Sequence, residues 1–460
     1  MKLLSTHRWA RTCYQTSRGF NNFLSAPWAG GVVLLVCVVI AMLLANLPWT
    51  AHIYHEVLET NLELSVSGHN GTFLWLFPSD MTVEKFVNDI LMVIFFFTVG
   101  LEIKRELVCG QLSSVKRAIL PVVAAAGGML APALIYLCFN HGTLATNGWG
   151  IPTATDIAFA IGILSILGDR VPVSLKVFLT ALAIADDLGA ILVIALFYGG
   201  SVKLLYLLIA LLIMAGVFVM NRMGEKRIFC YIVPAIAIWI LFYYSGIHAT
   251  LAGVAMAMLI PMEPRYKRSV FLRRWRNLNG RVEEMAESDG VFTEEELQES
   301  LRHMKQLSTR SAALSERLEH ALNPYVTFLI MPIFALANAG VEINSLEYLN
   351  IFHYSPEIGS VGMGVFFGLL LGKPIGIFAA SYAAVKCKMA EMPQGGTWKM
   401  LFAVACLGGI GFTMSIFVDS LAFTDADLID RGKISILMGS IAAAIFGCIL
   451  IALFSKKKQA

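Results

Sequence analysis

Two adjacent aspartates, Asp186 and Asp187, stand in the apolar run 174–197. A third, Asp156, follows Thr155 in the run 147–168, and Lys373 sits in the run 360–385. Carboxylates are hard oxygen ligands that suit a hard cation, and the same oxygens take up protons. Near a bilayer centre each charge costs about 2.5–3.5 kcal/mol, so the four together imply about 10 kcal/mol unless something compensates them. Neighbours on a helix point about 100° apart, so Asp186 and Asp187 can border one cavity without sharing the same surroundings. Thr155, Asp156 and freed backbone carbonyls can complete an oxygen shell there. The competing role is structural, with one of the two aspartates serving only to neutralise Lys373. Asp89 in 83–102 and Asp419 in 399–423 are expected nearer span ends, where side chains reach the headgroups at lower cost.

The elements that must position these residues carry their own signals. The fourth apolar run reads N-G-W-G-I-P-T-A-T-D-I-A-F-A. Pro152 has no N–H to donate and disfavours helix at Ile151, which predicts an interruption near Thr155 and Asp156. The eleventh, C-L-G-G-I-G-F-T-M-S, has Gly408, Gly409 and Gly411 together and predicts a second. Glycines also bring helices close, so that break alone would be weak; two in corresponding places are better evidence of a site. Spans 3–5 and 10–12 begin on opposite sides of the membrane, each triplet with its broken helix in the middle. This is the pattern of inverted repeats with a site near the midplane. Asp156 can offset the partial positive charge of half-helix N-termini, and Lys373 the partial negative charge of C-termini.

The chain has 460 residues, 57% hydrophobic and only 15% charged. Those values exclude a disordered chain, a nucleic-acid binder and an ordinary soluble enzyme. Eight cysteines form no C-x-x-C pair and read as small apolar residues. Spans of about 20 apolar residues are expected at 29–47, 83–102, 118–139, 147–168, 174–197, 203–221, 227–244, 247–261, 322–340, 360–385, 399–423 and 433–454. The fold class is therefore an all-α polytopic membrane protein with twelve transmembrane helices.

Lys and Arg mark cytoplasmic connections. They occur before the first span (Lys2, Arg8, Arg11, Arg18), after the second (Lys104, Arg105, Lys116, Arg117) and in each later even-numbered connection. The alternation puts both termini in the cytoplasm. The expected division is a cytoplasmic segment 1–28, spans 1–8 within 29–261, a charged cytoplasmic insert 262–321, spans 9–12 within 322–454 and a tail 455–460. Residues 62–77, L-E-L-S-V-S-G-H-N-G-T-F-L-W-L-F, read as a small periplasmic β-hairpin. Within 263–318, Arg265 to Arg281 is basic with Phe271, Leu272 and Trp275 interleaved, like a membrane-surface helix, and Thr293 opens a second helix. A solvated helical linker is the preferred reading of that insert.

T-A-T-D-I-A-F-A (153–160), A-L-A-I-A-D-D-L-G-A (181–190), G-L-E-I-K-R-E-L (100–107), H-A-T-L-A-G (248–253), G-K-P-I-G (372–376) and G-I-G-F-T-M-S-I-F (409–417) resemble the NhaA family of bacterial sodium/proton antiporters. The resemblance runs in order over essentially the whole chain. It implies a secondary active transporter, not an enzyme, exchanging Na+ or Li+ for H+ electrogenically in the inner membrane, with activity rising at alkaline pH. Asp186 and Asp187 then bind the cation or protons. Thr155, Asp156 and Lys373 match the interrupted-helix and counter-charge positions, and Asp89 a further intramembrane acid. Glu319 and His320 match a region tied to pH response, and His248 is placed there too. Glu102, Arg105 and Glu106 form a plausible regulatory cluster, or are simply helix-end charges at the headgroups. The hairpin matches a homodimer contact; no cofactor is expected beyond the transported ions, and the partners are those ions and membrane lipid. An intramembrane aspartyl enzyme and a passive cation channel are the alternatives. The first lacks its usual G-x-G-D motif, and transport data decide the second.

Overall fold

The computed structural model describes residues 26, 28–62, 65–68, 71–75, 81–200, 202–264, 268–287, 294–343, 350–355 and 358–455. The basic N-terminal residues, Thr293 and the terminal lysines lie outside them. The apolar runs become helices because lipid offers no partner for a backbone N–H or C=O, and a helix satisfies these groups internally. In chain order the helices begin α1 (Ala29–Asn46), α2 (Ala51–Glu59), α3 (Val83–Val108) and α4 (Val115–Asn140). A 3₁₀ helix (Leu144–Thr153) precedes α5 (Ile157–Ile166) and α6 (Val173–Phe197). Then come α7 (Leu204–Arg222), α8 (Phe229–Ser245), α9 (Leu251–Leu259), α10 (Arg268–Glu287) and α11 (Glu294–Ser311). The last are α12 (Leu314–Asn338), α13 (Val361–Lys386), α14 (Trp398–Leu407), α15 (Phe412–Ala422) and α16 (Ala426–Phe454). Among the described residues, eight helices are long and apolar enough to cross a membrane, ten spans if each bent pair counts as one. This is a polytopic membrane protein. Strands β1 (Ser65–Gly68) and β2 (Gly71–Trp75) pair antiparallel, with Gly68 opposite Gly71.

Several boundaries differ from the sequence expectation. The fourth run opens as a ten-residue 3₁₀ helix rather than an α-helix. The eighth span, expected over 247–261, contains only the nine-residue α9. The twelfth begins at Ala426 instead of 433, because Asp425 caps it by accepting from Asp427 N at 3.0 Å. Charged residues that read as a turn are thus the first turns of a helix.

Residues Met1–Met92, Glu106–Gly199 and Thr327–Ala460 form one compact unit, and Val93–Arg105 with Gly200–Val326 a second. In the first, α4 and α13 cross at backbone contact. A Cβ on Gly376 would lie 2.1 Å from the Gly127 carbonyl oxygen, and one on Gly127 would lie 2.4 Å from that of Gly376. The π turn Gly368–Gly372 in α13 packs on the same wall: a Cβ on Gly372 would fall 2.7 Å from Pro132 Cα. This turn directly precedes Lys373 and sets its direction. Gly376→Ala is therefore expected to cost about 1–3 kcal/mol through overpacking. A melting temperature in detergent equal to that of the unsubstituted protein would contradict the crossing.

The second unit has its own apolar core, including Leu101, Val217, Tyr231, Ile238, Phe242, Met256 and Leu314. Gly246, at φ 84, ends α8 in the left-handed conformation that glycine adopts without a Cβ clash. Within the insert, α10 and α11 pack on each other, and α10 leaves Leu272 and Trp275 exposed.

Candidate functional site

The two interruptions are present. The 3₁₀ helix and α5 meet at a 41° bend, and α14 and α15 at 52°. Between them the chain is extended at 154–156 and turns through 408–411. The first break follows from Pro152. At the second, Phe412 takes φ 27 and donates its N–H to Ser440 Oγ at 3.1 Å. A non-glycine residue at positive φ costs about 1–3 kcal/mol and persists only where its surroundings hold it.

The breaks lie against each other. Asp156 N donates to Ile410 O at 2.7 Å. Its carboxylate is shared between two helix starts: Oδ1 accepts from Phe159 N at 3.0 Å, and Oδ2 accepts from Thr413 Oγ1 at 2.5 Å and Thr413 N at 3.3 Å. Asp156 thus caps α5 and α15 together, an anion placed where both macrodipoles are positive. Ser415 Oγ adds a tie to Ile151 O at 2.8 Å.

Beside this crossing, α6 presents Asp186 and Asp187, each only 2% exposed, and α13 presents Lys373 at 0%. Lys373 Nζ pairs with Asp186 Oδ2 and donates to Thr155 Oγ1 at 2.6 Å. Thr155 Oγ1 lies 2.5 Å from Asp186 Oδ2 and 2.9 Å from Gly408 O. A hydroxyl has one hydrogen, so Thr155 donates to only one of these acceptors at a time. Asp186 Oδ1 is buried and has no hydrogen-bond donor among the described residues. The cluster is a set of oxygen atoms around one ammonium. Chemically it can hold a proton, the ammonium, or a small hard cation in the ammonium's place.

The structure therefore brings together Thr155, Asp186 and Lys373, with Asp187 next on the same helix and Asp156 at the crossing. The neutralising role weighed for one aspartate falls on Asp186. Thr413, Ser440 and the Gly408 carbonyl were not singled out in the sequence. Thr413 stands two residues past Gly411, in the first turn of the helix that follows the glycine run, and that position was its only signal. Asp419 differs more sharply. It is 0% exposed, and among the described residues neither carboxylate oxygen has a hydrogen-bond partner. Asp89 lies in a π turn of α3, Val87–Leu91, beside Asn88, which exchanges amide hydrogen bonds with Asn338 at 3.0 and 2.8 Å.

The family described as Na+/H+ antiporter 1 matches residues 21–451. This chain belongs to the NhaA family of Na+/H+ antiporters. A relative from Sulfurimonas denitrificans is 41% identical over 449 residues, 97% of this chain and 98% of its own. Another, from Shewanella sp. (strain ANA-3), is 43% identical over 436 residues, 94% and 96% of the two chains. A third, from Pelagibacter ubique, is 40% identical over 443 residues, 96% and 99% of the two. Each is named Na(+)/H(+) antiporter NhaA. The NhaA match covers both broken helices, α6 and α13, so the whole cluster lies inside the shared region.

Two of the residues proposed for pH response in this NhaA-family chain are in direct contact. Arg105 Nη1 pairs with the buried Glu319 Oε1 at 2.5 Å, and Arg105 Nη2 lies 4.0 Å from Glu102 Oε1. Next to it Lys104 Nζ donates to the Met258 carbonyl at 2.6 Å and to that of Ile260, capping the C-terminal end of α9. His248 is at the other end of α9, where its carbonyl accepts from Leu251 N at 3.1 Å. Glu106 Oε2 accepts from Gln111 N at 2.8 Å and closes a local turn. His320 is exposed beside Glu319.

Proposed function

We propose that this chain exchanges sodium or lithium for protons by alternating access, with Asp186 and Asp187 binding either the cation or protons. The observation that carries the reading is the buried cluster beside the crossed breaks, where Lys373 meets Asp186 and Thr155, and the Thr155 hydroxyl also lies against the Gly408 carbonyl. A cation arriving at Asp186 takes the place of the Lys373 ammonium, and Asp187 supplies the charge that offsets its desolvation. Lys373 is then the counter-charge that holds the site between cations. Two protons moved per monovalent cation would make the cycle electrogenic.

The test is competition. Protons and cation share the carboxylates, so acidification fills the site with protons and raises the apparent cation constant. If one proton blocks the site, the logarithm of that constant falls against pH with a slope of about −1; if two do, it approaches −2, flattening at alkaline pH. Dye-monitored exchange in everted vesicles reads both. A constant that stays flat from acidic to alkaline pH sinks the shared site.

The wider arrangement belongs to the same reading. Counting both bent pairs, α8 and α9 with the eight long helices gives twelve spans, and spans 3–5 and 10–12 are the inverted repeats. The Lys and Arg pattern supports cytoplasmic termini in the inner membrane, and Glu102, Arg105, Glu106, His248, Glu319 and His320 are the candidates for pH regulation. The strand pair β1–β2 offers unpaired edges to a second copy, because a two-stranded hairpin is marginal alone. Deleting 62–77 is expected to weaken the homodimer while exchange persists. An unchanged dimer fraction in mild detergent would remove these strands from the interface.

A further inference from the structure

Asp419 has no part in the cluster just described, yet it is as deeply buried as Lys373. It lies on α15, six residues beyond Thr413, about 9 Å along the helix axis from the crossing at 1.5 Å per residue. Every residue of α15 from Phe412 to Asp419 is buried, and the helix ends one turn later at Ala422. Among the described residues both carboxylate oxygens lack a hydrogen-bond partner, although a carboxylate offers about four acceptor sites. The carboxyl instead rests on the backbone of α16, where a Cβ on Gly432 would fall 2.1 Å from Oδ1 and 2.8 Å from Oδ2. The titratable groups that act on it come from three elements. Lys433 and Asp430 are on α16, Tyr136 is on α4, and Tyr198 follows α6. His55 and Glu342 act on Asp430 rather than on Asp419 itself. Both tyrosine hydroxyls are engaged elsewhere: Tyr136 donates to Ala145 O and Tyr198 to Asn147 O, each at 2.8 Å.

We propose that Asp419 is a second proton-binding carboxyl, in series with Asp186 and Asp187, which passes protons between the crossing and the side of the membrane where α15 ends. A buried carboxyl given no donor either keeps its own proton or waits for a cation, and Lys433 makes both charge states reachable. Deprotonated, it is balanced by the lysine one residue past Gly432; protonated, it leaves no net charge of its own. A purely structural ion pair would be built with hydrogen bonds to the carboxylate, as Asp156 is. The relay rests on the reading of Asp186 and Asp187 as the exchange carboxylates.

Two measurements on the full chain in proteoliposomes test it. In pH-difference infrared spectra, the wild type is expected to show the carbonyl band of a protonated carboxyl that disappears as pH rises. Asp419→Asn removes that band, whereas Asp187→Asn keeps it. Lys433→Gln, a variant that leaves Asp419 in place, moves the pH at which the band disappears upward by about one unit, the usual size of a neighbouring charge's effect. In transport, Asp419→Asn slows exchange and shifts its pH–rate profile, and adding Lys433→Gln to it does not restore the profile. A spectrum in which Asp419→Asn removes no band overturns the proposal. So does a pH–rate profile that overlays the wild type, or one fully restored by the double substitution, since Asp419 would then only balance Lys433. If Asp187→Asn still exchanged ions, the reading of the central cluster would fail instead, and the infrared result at Asp419 would stand apart from it.

Discussion

Asp187→Asn is expected to reduce sodium/proton exchange to the level of vesicles without protein. The substitution keeps the size and shape of the side chain in α6, where Asp187 is 2% exposed, so the helix packing should survive. What it removes is the negative charge and the proton-binding oxygen together. An amide cannot take a proton near neutral pH, and its dipole does not replace a full charge in offsetting the desolvation of a bare cation. Asp186 cannot substitute, because one carboxylate does not supply both the cation's ligand and the second charge that offsets its desolvation. The measurement is dye-monitored proton movement on adding sodium to everted vesicles, alongside size-exclusion profiles that report folding. Residual exchange with unaltered proton stoichiometry would show that Asp187 carries neither ion.

Lys373→Met is expected to be the most destabilising single change at the site. It removes the ammonium that pairs with Asp186 and leaves a carboxylate, 2% exposed, with the Thr155 hydroxyl beside it. Breaking a buried pair from one side costs about 3–5 kcal/mol, because the remaining charge is uncompensated. Replacing both partners is cheaper, so Asp186→Asn with Lys373→Met should regain much of the lost thermal stability in detergent. Exchange should not return with it, since the double variant lacks a carboxylate the cation needs. Equal melting temperatures for the wild type and Lys373→Met would show that the pair contributes nothing to holding the site closed. Equal exchange in the double variant would remove Asp186 from the transport cycle.

The parts of this site that were legible in the sequence are those where a residue type contradicts its surroundings. Asp156, Asp186, Asp187 and Lys373 each stand in an apolar run, and an unusual cost marks them. Pro152 and the Gly408, Gly409, Gly411 group mark the breaks because each removes a helix's local support. What stayed hidden is geometric. The π turn before Lys373 has no composition signature, and it decides where the ammonium points. The 3₁₀ winding of Leu144–Thr153 depends on what packs against it. Thr413 and Ser440 are small polar residues of the sort found on many helix faces, and only the crossing of two distant breaks makes them partners. Asp419 was placed by its distance from the end of an apolar run, yet burial by α16 governs it. Burial comes from contacts far away in sequence, which a linear reading does not contain.

Asp156 is fastened at both ends of the crossing by its N–H to Ile410, its Oδ1 to Phe159 and its Oδ2 to Thr413. Swinging either half-helix alone would tear at least one of these bonds out of a dry interior, where an abandoned polar group costs about 1–3 kcal/mol. Moving the two breaks as one body tears none. Under the alternating access proposed above, the two breaks move like a rocker with a single axle rather than a corridor with a door at each end. A leak, with both doors open at once, is then a posture that the joint itself makes expensive.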